Sequence, residues 1–531
     1  MDRRTILLAG AAASAAGAWK LVAGRGLGGA PHAGTPASRE IAHATSGVDT
    51  TTPTTGNAAP ASAADPVLGI NLTPINYWLP VAFIDRLKAS IPWATGATPA
   101  PMSDLGYPAG MNGPHPVTTM IPCEEGRYVL THDGDMDVRV QGATLVARSA
   151  DGARIYEVRG KIGTNASRQL IIDAIRKPPT FMHFIRQKDA AAFAAGEIFA
   201  PEFLAQLKGF DTLRFMDWIR VNSSTVTNAF PPERSCSYVS GVPMEVMLAL
   251  AKKVDAHPWL CVPHLASDAF IDEIIGTLRK AAVNGRAPYL EYSNEVWNLG
   301  FEQARYAQQE AVTRWGTGTP GGVFYGYRAG QIAQRARGAG IRMVLGAQTA
   351  TPARADAVWD GVRRSGATDR DFAGWIIATY ITGTLTRKLG PTPALAAQGD
   401  IAGAIDNLLH ASETGAMSVD TMRAVYTRHG EIARAHGLKL MAYEGNLHLN
   451  PIPAFADKQQ LVKPFFEAIT RSPDSAVVMQ QNLAAFAAAG GSLACLYNLS
   501  SGPGNGGFFG VVDSGSWNFI RQRLARQTPT G

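Results

Sequence analysis

Cysteine is scarce in this chain, charge is thin, and no long apolar run follows the N-terminus. Four cysteines in 531 residues do not make a disulfide scaffold. Cys261 and Cys495 sit inside apolar runs and read as small buried hydrophobes. Cys123 and Cys236 lie in loop-like sequence, where an oxidising compartment would permit a bridge without requiring one. Neither CxxC nor HExxH occurs, so the sequence offers no metal motif, and no cofactor is expected. A glycine cluster at 24–29 has no strand before it and is not a phosphate loop. Charged residues make up 17% of the chain and the formal net charge is +6, with no dense Lys/Arg block interleaved with aromatics. That excludes the usual nucleic-acid footprint. Past the N-terminus no window is apolar enough to span a bilayer, so no stable membrane association is expected once a signal is removed.

Part of the positive charge belongs to a targeting pattern. Residues 1–27 carry Arg3, Arg4, Lys20 and Arg25 against Asp2, and an Ala/Gly-rich apolar run follows the paired arginines. The run is short for a membrane span and suited to an export signal, with the arginine pair favouring the twin-arginine route. Export to the periplasm or the medium is the expectation. Residues 28–64 are Ala, Thr, Pro, Ser and Gly with few large apolar side chains, a linker composition.

From 65 to 525 the chain reads as alternating strands and helices. Strands are expected at 67–72, 212–217, 259–264, 288–293, 342–348, 374–381, 439–444 and 492–499. Eight such strands with helices between them predict a (β/α)8 barrel. One interruption breaks the rhythm. Short strand candidates at 127–132, 137–147, 154–159, 168–175 and 180–186, with Asp-Gly turns at 133–134 and 151–152, predict a small antiparallel β insertion within 110–190.

The chemistry lies at two strand ends. Tyr289-Leu290-Glu291-Tyr292-Ser293-Asn294-Glu295-Val296-Trp297-Asn298 is an apolar strand closing on Asn-Glu, and Leu440-Met441-Ala442-Tyr443-Glu444-Gly445-Asn446 repeats the design about 150 residues later. Barrel enzymes build their sites at the C-terminal ends of strands. Glu295 after strand four and Glu444 at strand seven would face each other across the mouth. Glycosidic cleavage needs such a pair, one carboxyl to protonate the leaving oxygen and one to attack or to activate water. His264, ending strand three, is a candidate substrate contact or a hydrogen-bonded structural histidine. Trp297, Trp218 and Trp78 offer flat faces for sugar rings or for packing.

These motifs resemble clan A of the glycoside hydrolases, retaining enzymes on a (β/α)8 barrel. The resemblance implies Glu295 as acid/base, Glu444 as nucleophile and Asn294 as partner of the sugar 2-hydroxyl. It also implies Arg214 beside the nucleophile and Tyr380 as its hydrogen-bond donor. The phrase Glu-Tyr-Ser-Asn-Glu-Val-Trp-Asn further resembles secreted bacterial barrel proteins of little-characterised activity. Where clan members carry Trp at the end of strand eight, this chain has Tyr497-Asn498, so Tyr497 is the candidate for that sugar-facing position. The expected partner is a carbohydrate substrate. Two other readings use the same barrel: a non-catalytic carbohydrate-binding protein, and a transglycosylase in exopolysaccharide assembly. The sugar, the linkage and the oligomeric state are not written in the motifs.

Overall fold

The computed structural model describes residues 64–527 except 151, 161–166, 282–285, 387–391, 451–456 and 502–507. The export-signal expectation, and all but the last residue of the linker, fall outside the described residues. Eight parallel strands close into a barrel. They are β1 (Val67–Asn71), β2 (Thr212–Arg214), β3 (His257–Val262), β4 (Tyr289–Tyr292), β5 (Arg342–Gly346), β6 (Gly374–Ala378), β7 (Lys439–Glu444) and β8 (Gly491–Leu496). All eight fall where the apolar runs predict them. Closure is direct, with Val67 opposite Leu493 and Ile70 opposite Leu496. Strands such as β3 and β4 are buried at every residue. That burial explains why the barrel strands read as continuous apolar runs rather than as alternation.

Helices wrap the strands with one apolar stripe each. In Asp268–Lys280, Phe270, Ile271, Ile274, Ile275 and Leu278 are buried, and the Ser267 hydroxyl accepts a hydrogen bond from Phe270 N at the N-terminus. Helices Gly321–Arg335 and Ala355–Ser365 pack backbone to backbone. A Cβ at Gly326 would run into Val358 O, and one at Gly361 into Val323 O. Helices also form at Ile401–His410 and Gln459–Arg471; the second carries Pro464 in its interior, which breaks the helical pattern in sequence.

The β insertion is larger than its sequence signal. It forms two antiparallel sheets in the connection between β1 and β2. One orders Met182–Arg186, Gly126–His132, Arg154–Val158 and Ala143–Arg148. The other orders Thr98–Pro99, Ala94–Thr95, Val117–Pro122, Ser167–Lys177 and Asp135–Val140. The single strand expected at 137–147 is instead two. The chain turns at Gly142, whose φ of 66° suits glycine, and the halves join different sheets. Strands at Ala94–Thr95 and Thr98–Pro99 also lie before residue 110. The lobe has its own core around Trp93, Tyr128, Leu170 and Phe184, with the Tyr128 and Phe184 rings stacked at 4.7 Å. Because it leaves from the C-terminal end of β1, it stands on the end of the barrel where β4 and β7 deliver their glutamates. All four cysteines are free and buried, Cys261 and Cys495 within barrel strands.

Candidate active site

The backbone prepares the site before any side chain does. β4 ends at Tyr292, and the next three residues bend sharply. Ser293 and Glu295 have φ of 61° and 42°, the left-handed region that non-glycine residues rarely occupy. Asn298 N donates to Glu295 O at 2.8 Å and closes the turn. The following helix starts at Glu302, so Glu295 is not an acid at its N-terminus and Asn294 is not its cap. β7 ends on Glu444, and Gly445 follows so tightly that a Cβ there would strike Thr379 Oγ1.

Arg214, at the end of β2, is the hub. It is fully buried and spends its whole guanidinium on four residues. Nε and Nη2 form a fork on Glu291, at 3.0 Å to Oε2 from Nε and at 2.9 Å from Nη2. Nη1 donates to Glu444 Oε1 at 2.8 Å and to Asn71 Oδ1 at 3.0 Å. Nη2 also donates to Asn294 Oδ1 at 2.9 Å. Such planar, multiply bonded recognition of carboxylates is what Arg does and Lys cannot. The second oxygen of Glu444 accepts from Tyr380 OH at 2.9 Å. Glu295 is held separately: Tyr443 OH donates to Oε1 at 3.0 Å and Asn298 Nδ2 to Oε2 at 3.1 Å. The residue before one glutamate therefore orients the other. Asn294 Nδ2 donates to Asn222 Oδ1 at 3.0 Å, and Gln303 fixes Asn222 in turn at 2.8 Å.

Burial sets the electrostatics. It pushes the Glu444 carboxyl up to about 8, opposed by the Arg214 guanidinium and assisted by the neighbouring charge of Glu295. Burial likewise raises Glu291, again against Arg214. Asp217 is pushed by burial to about 7, with Tyr497 OH donating to it at 3.1 Å. Tyr380 and Tyr443 are raised well above the usual phenol range by burial and the adjacent carboxylates, so both remain donors at neutral pH. Among the described residues, no group of three or more His, Cys, Asp or Glu could hold a metal ion.

The residues singled out in sequence divide clearly. Glu295, Glu444, Asn294, Arg214 and Tyr380 come together in one network. Trp297 borders it, 6.2 Å from the Tyr443 ring and partly buried. Tyr497 borders it by packing at 6.3 Å from the Tyr380 ring, with its OH turned to Asp217. Trp218 does not belong. It is 1% exposed, donates Nε1 to Thr73 O at 2.9 Å and packs among Phe83, Phe203 and Phe215. The reason is that β2 stops at Arg214, and the helical turn Met216–Ile219 rotates Trp218 into the core. His264 is also outside the network. Its ring packs edge-on against Tyr306 at 5.4 Å, its Nδ1 is buried without a hydrogen-bond partner, and burial lowers it to about 4. Neither side chain presents a surface to a substrate. Sequence reasoning passed over Glu291, Asp217, Asn71 and Tyr443. Glu291 had a readable signal, a carboxylate in the middle of an otherwise apolar barrel strand, which must find a buried cation.

No protein-family model matches the chain, and no curated protein matches its sequence. Solved structures align with the chain at low sequence identity and low TM-score. Fungal β-1,4-galactanases align with 8% identity over 59% of this chain and 87% of theirs, with a TM-score of 0.30. The endo-1,4-β-D-xylanase 10B modules of Clostridium thermocellum, complexed with xylohexaose, align with 8% identity over 83% of this chain and 97% of that one, with a TM-score of 0.31. A Bacteroidetes-affiliated GH5 cellulase aligns with 12% identity over 62% and 84%, with a TM-score of 0.32. Likeness at this level leaves the chemistry to be argued from the site's own atoms.

Proposed function

We propose that this chain is a retaining glycoside hydrolase that cleaves O-glycosidic bonds in a poly- or oligosaccharide by double displacement. The observation that supports it most is the pair of separately held carboxylates. Glu444 at the end of β7 is gripped by Arg214 and Tyr380, and Glu295 just past β4 by Tyr443 and Asn298. In the first step Glu444, reacting as the ionised carboxylate that the Arg214 and Tyr380 donors favour against its burial, bonds through one oxygen to the anomeric carbon as the glycosidic C–O bond breaks. The departing oxygen takes its proton from Glu295. In the second, water gives a proton to Glu295 and bonds to the same carbon, and the Glu444 ester bond breaks. Arg214 and Tyr380 hold Glu444 in one orientation for attack. The Asn294 amide gives one hydrogen to Asn222 and keeps the other for the sugar 2-hydroxyl. The reading includes export, which rests on the Arg3-Arg4 pair and the short apolar run after it.

Variant chemistry tests the roles. With aryl glycosides that the wild type hydrolyses, Glu444→Ala should lose turnover by at least about a thousandfold, and added azide should give a glycosyl azide of inverted configuration. Glu295→Ala should still cleave substrates with good leaving groups, and azide should then give the retained product, because the anion enters on the acid/base side. Wild-type turnover by Glu444→Ala, or swapped azide stereochemistry, would refute the assignment.

A further inference from the structure

A cavity lies in the seam between the β lobe and the barrel, and none of the residues of the glutamate network lines it. Its volume is about 430 Å³, within the usual range of ligand sites, about 300–1,000 Å³. Two connections on the same end of the barrel contribute to it: the one after β1, through Phe83 and Lys88 and, from the lobe, Phe181 and His183, and the one after β2, through Arg234 and Tyr238.

Two of these side chains are held as if for use. Phe181 is 40% exposed, yet its backbone is fixed. The carboxylate of Asp133, in the Asp-Gly turn, accepts from Thr180 N at 2.7 Å, from Thr180 Oγ1 at 2.6 Å and from Phe181 N at 3.0 Å. The Phe181 ring stacks on His183 at 5.6 Å, and His183 meets the edge of Phe193 at 5.0 Å. His183 is anchored in turn. Its Nδ1 is 2.8 Å from Asp85 Oδ2, and the other Asp85 oxygen accepts from Leu87 N and Phe184 N. An ionised carboxylate only accepts, so Nδ1 carries the hydrogen and Nε2 is left for another partner. Lys88 lies 4.6 Å over the Tyr238 ring, and the side chains of Glu233 and Arg234 make no ion pair among the described residues.

A cavity walled by flat aromatic faces and rimmed by an imidazole, a carboxylate and a guanidinium fits one chemistry well. A pyranose ring has apolar C–H faces and an edge of hydroxyls. A peptide strand fits less well. Met182–Arg186 is the outer strand of its sheet, but its edge is already occupied by the bridge between Asp85 and Ile185. We infer that this seam is a second saccharide-binding site, which holds a pyranose chain against Phe181 and His183 independently of hydrolysis.

The test uses the full chain carrying Glu444→Gln, so that no probe is consumed. Cellohexaose and hexagalacturonate are titrated by calorimetry into Glu444→Gln and into Glu444→Gln with Phe181→Ala. Binding of either hexasaccharide that weakens at least about tenfold on loss of Phe181 is the expected result, and which of the two binds tells a neutral from a uronic chain. Because Phe181 is exposed, an unchanged melting temperature is the control for folding. Binding that is the same with and without Phe181, or binding of neither probe, overturns the inference. Failure of the hydrolase reading would show separately, in turnover by the chain with Glu444 intact.

Discussion

Glu444 carries the sharpest conflict between stability and chemistry at the level of single residues. Its carboxyl belongs to the solvent when unfolded, with a pKa near 4.5, and is pushed to about 8 by burial in the fold. Between those values the folded chain binds the proton that the unfolded chain has released. The group's contribution is therefore fully present below about 4.5 and is lost as pH rises through about 8. Glu444→Gln cannot ionise and escapes that loss. Its melting temperature relative to wild type should climb between pH 5 and pH 8 in parallel thermal scans, and a flat difference would contradict the titration. Glu295 and Glu444 were legible in sequence because each interrupts the end of an apolar run. Glu291 was harder to place, since its meaning depends on a cation that arrives from β2. Trp218 misled because an aromatic near a strand end reads the same whether it faces substrate or core.

Among elements, the barrel strands were legible because burial on both sides leaves uninterrupted apolar runs. The lobe was less so. Asp135–Val140 alternates exposed and buried residues, yet the neighbouring strand Ala143–Arg148 belongs to the other sheet and is mostly exposed. Sheet membership is set by pairing with distant strands, which local patterning does not encode. The contact between helices Gly321–Arg335 and Ala355–Ser365 shows the same limit, because glycine inside a helix reads as a defect until the partner is known. Gly361→Ala should cost about 1–3 kcal/mol through forced separation of the helices, despite alanine's better helix propensity. Urea unfolding measures it, and a neutral or stabilised variant would mean that the two helices do not meet through this glycine.

On the scale of the molecule, two apolar cores sit side by side, one in the barrel and one in the lobe. Phe184 is fully buried in the second. Phe184→Ala should remove about 3–5 kcal/mol from the lobe. Hydrogen exchange should then show lobe strands opening while amides of β3 and β4 stay protected. Equal loss of protection in both would mean that the cores unfold as one unit.

Arg214 reaches residues of β4 and β7, and it holds Asn71 of β1, whose amide donates to Tyr443 O and Leu496 O. The first strand of the barrel is thus secured by carbonyls from the last two. During synthesis those partners emerge from the ribosome long after Asn71 does, across a separation of 425 residues in the case of Leu496. A nascent chain halted before β8 holds both glutamates in sequence but lacks the carbonyl that completes the frame around them. The frame around the two glutamates is therefore completed only once β8 has been made, and a product that ends before Leu496 is released without it.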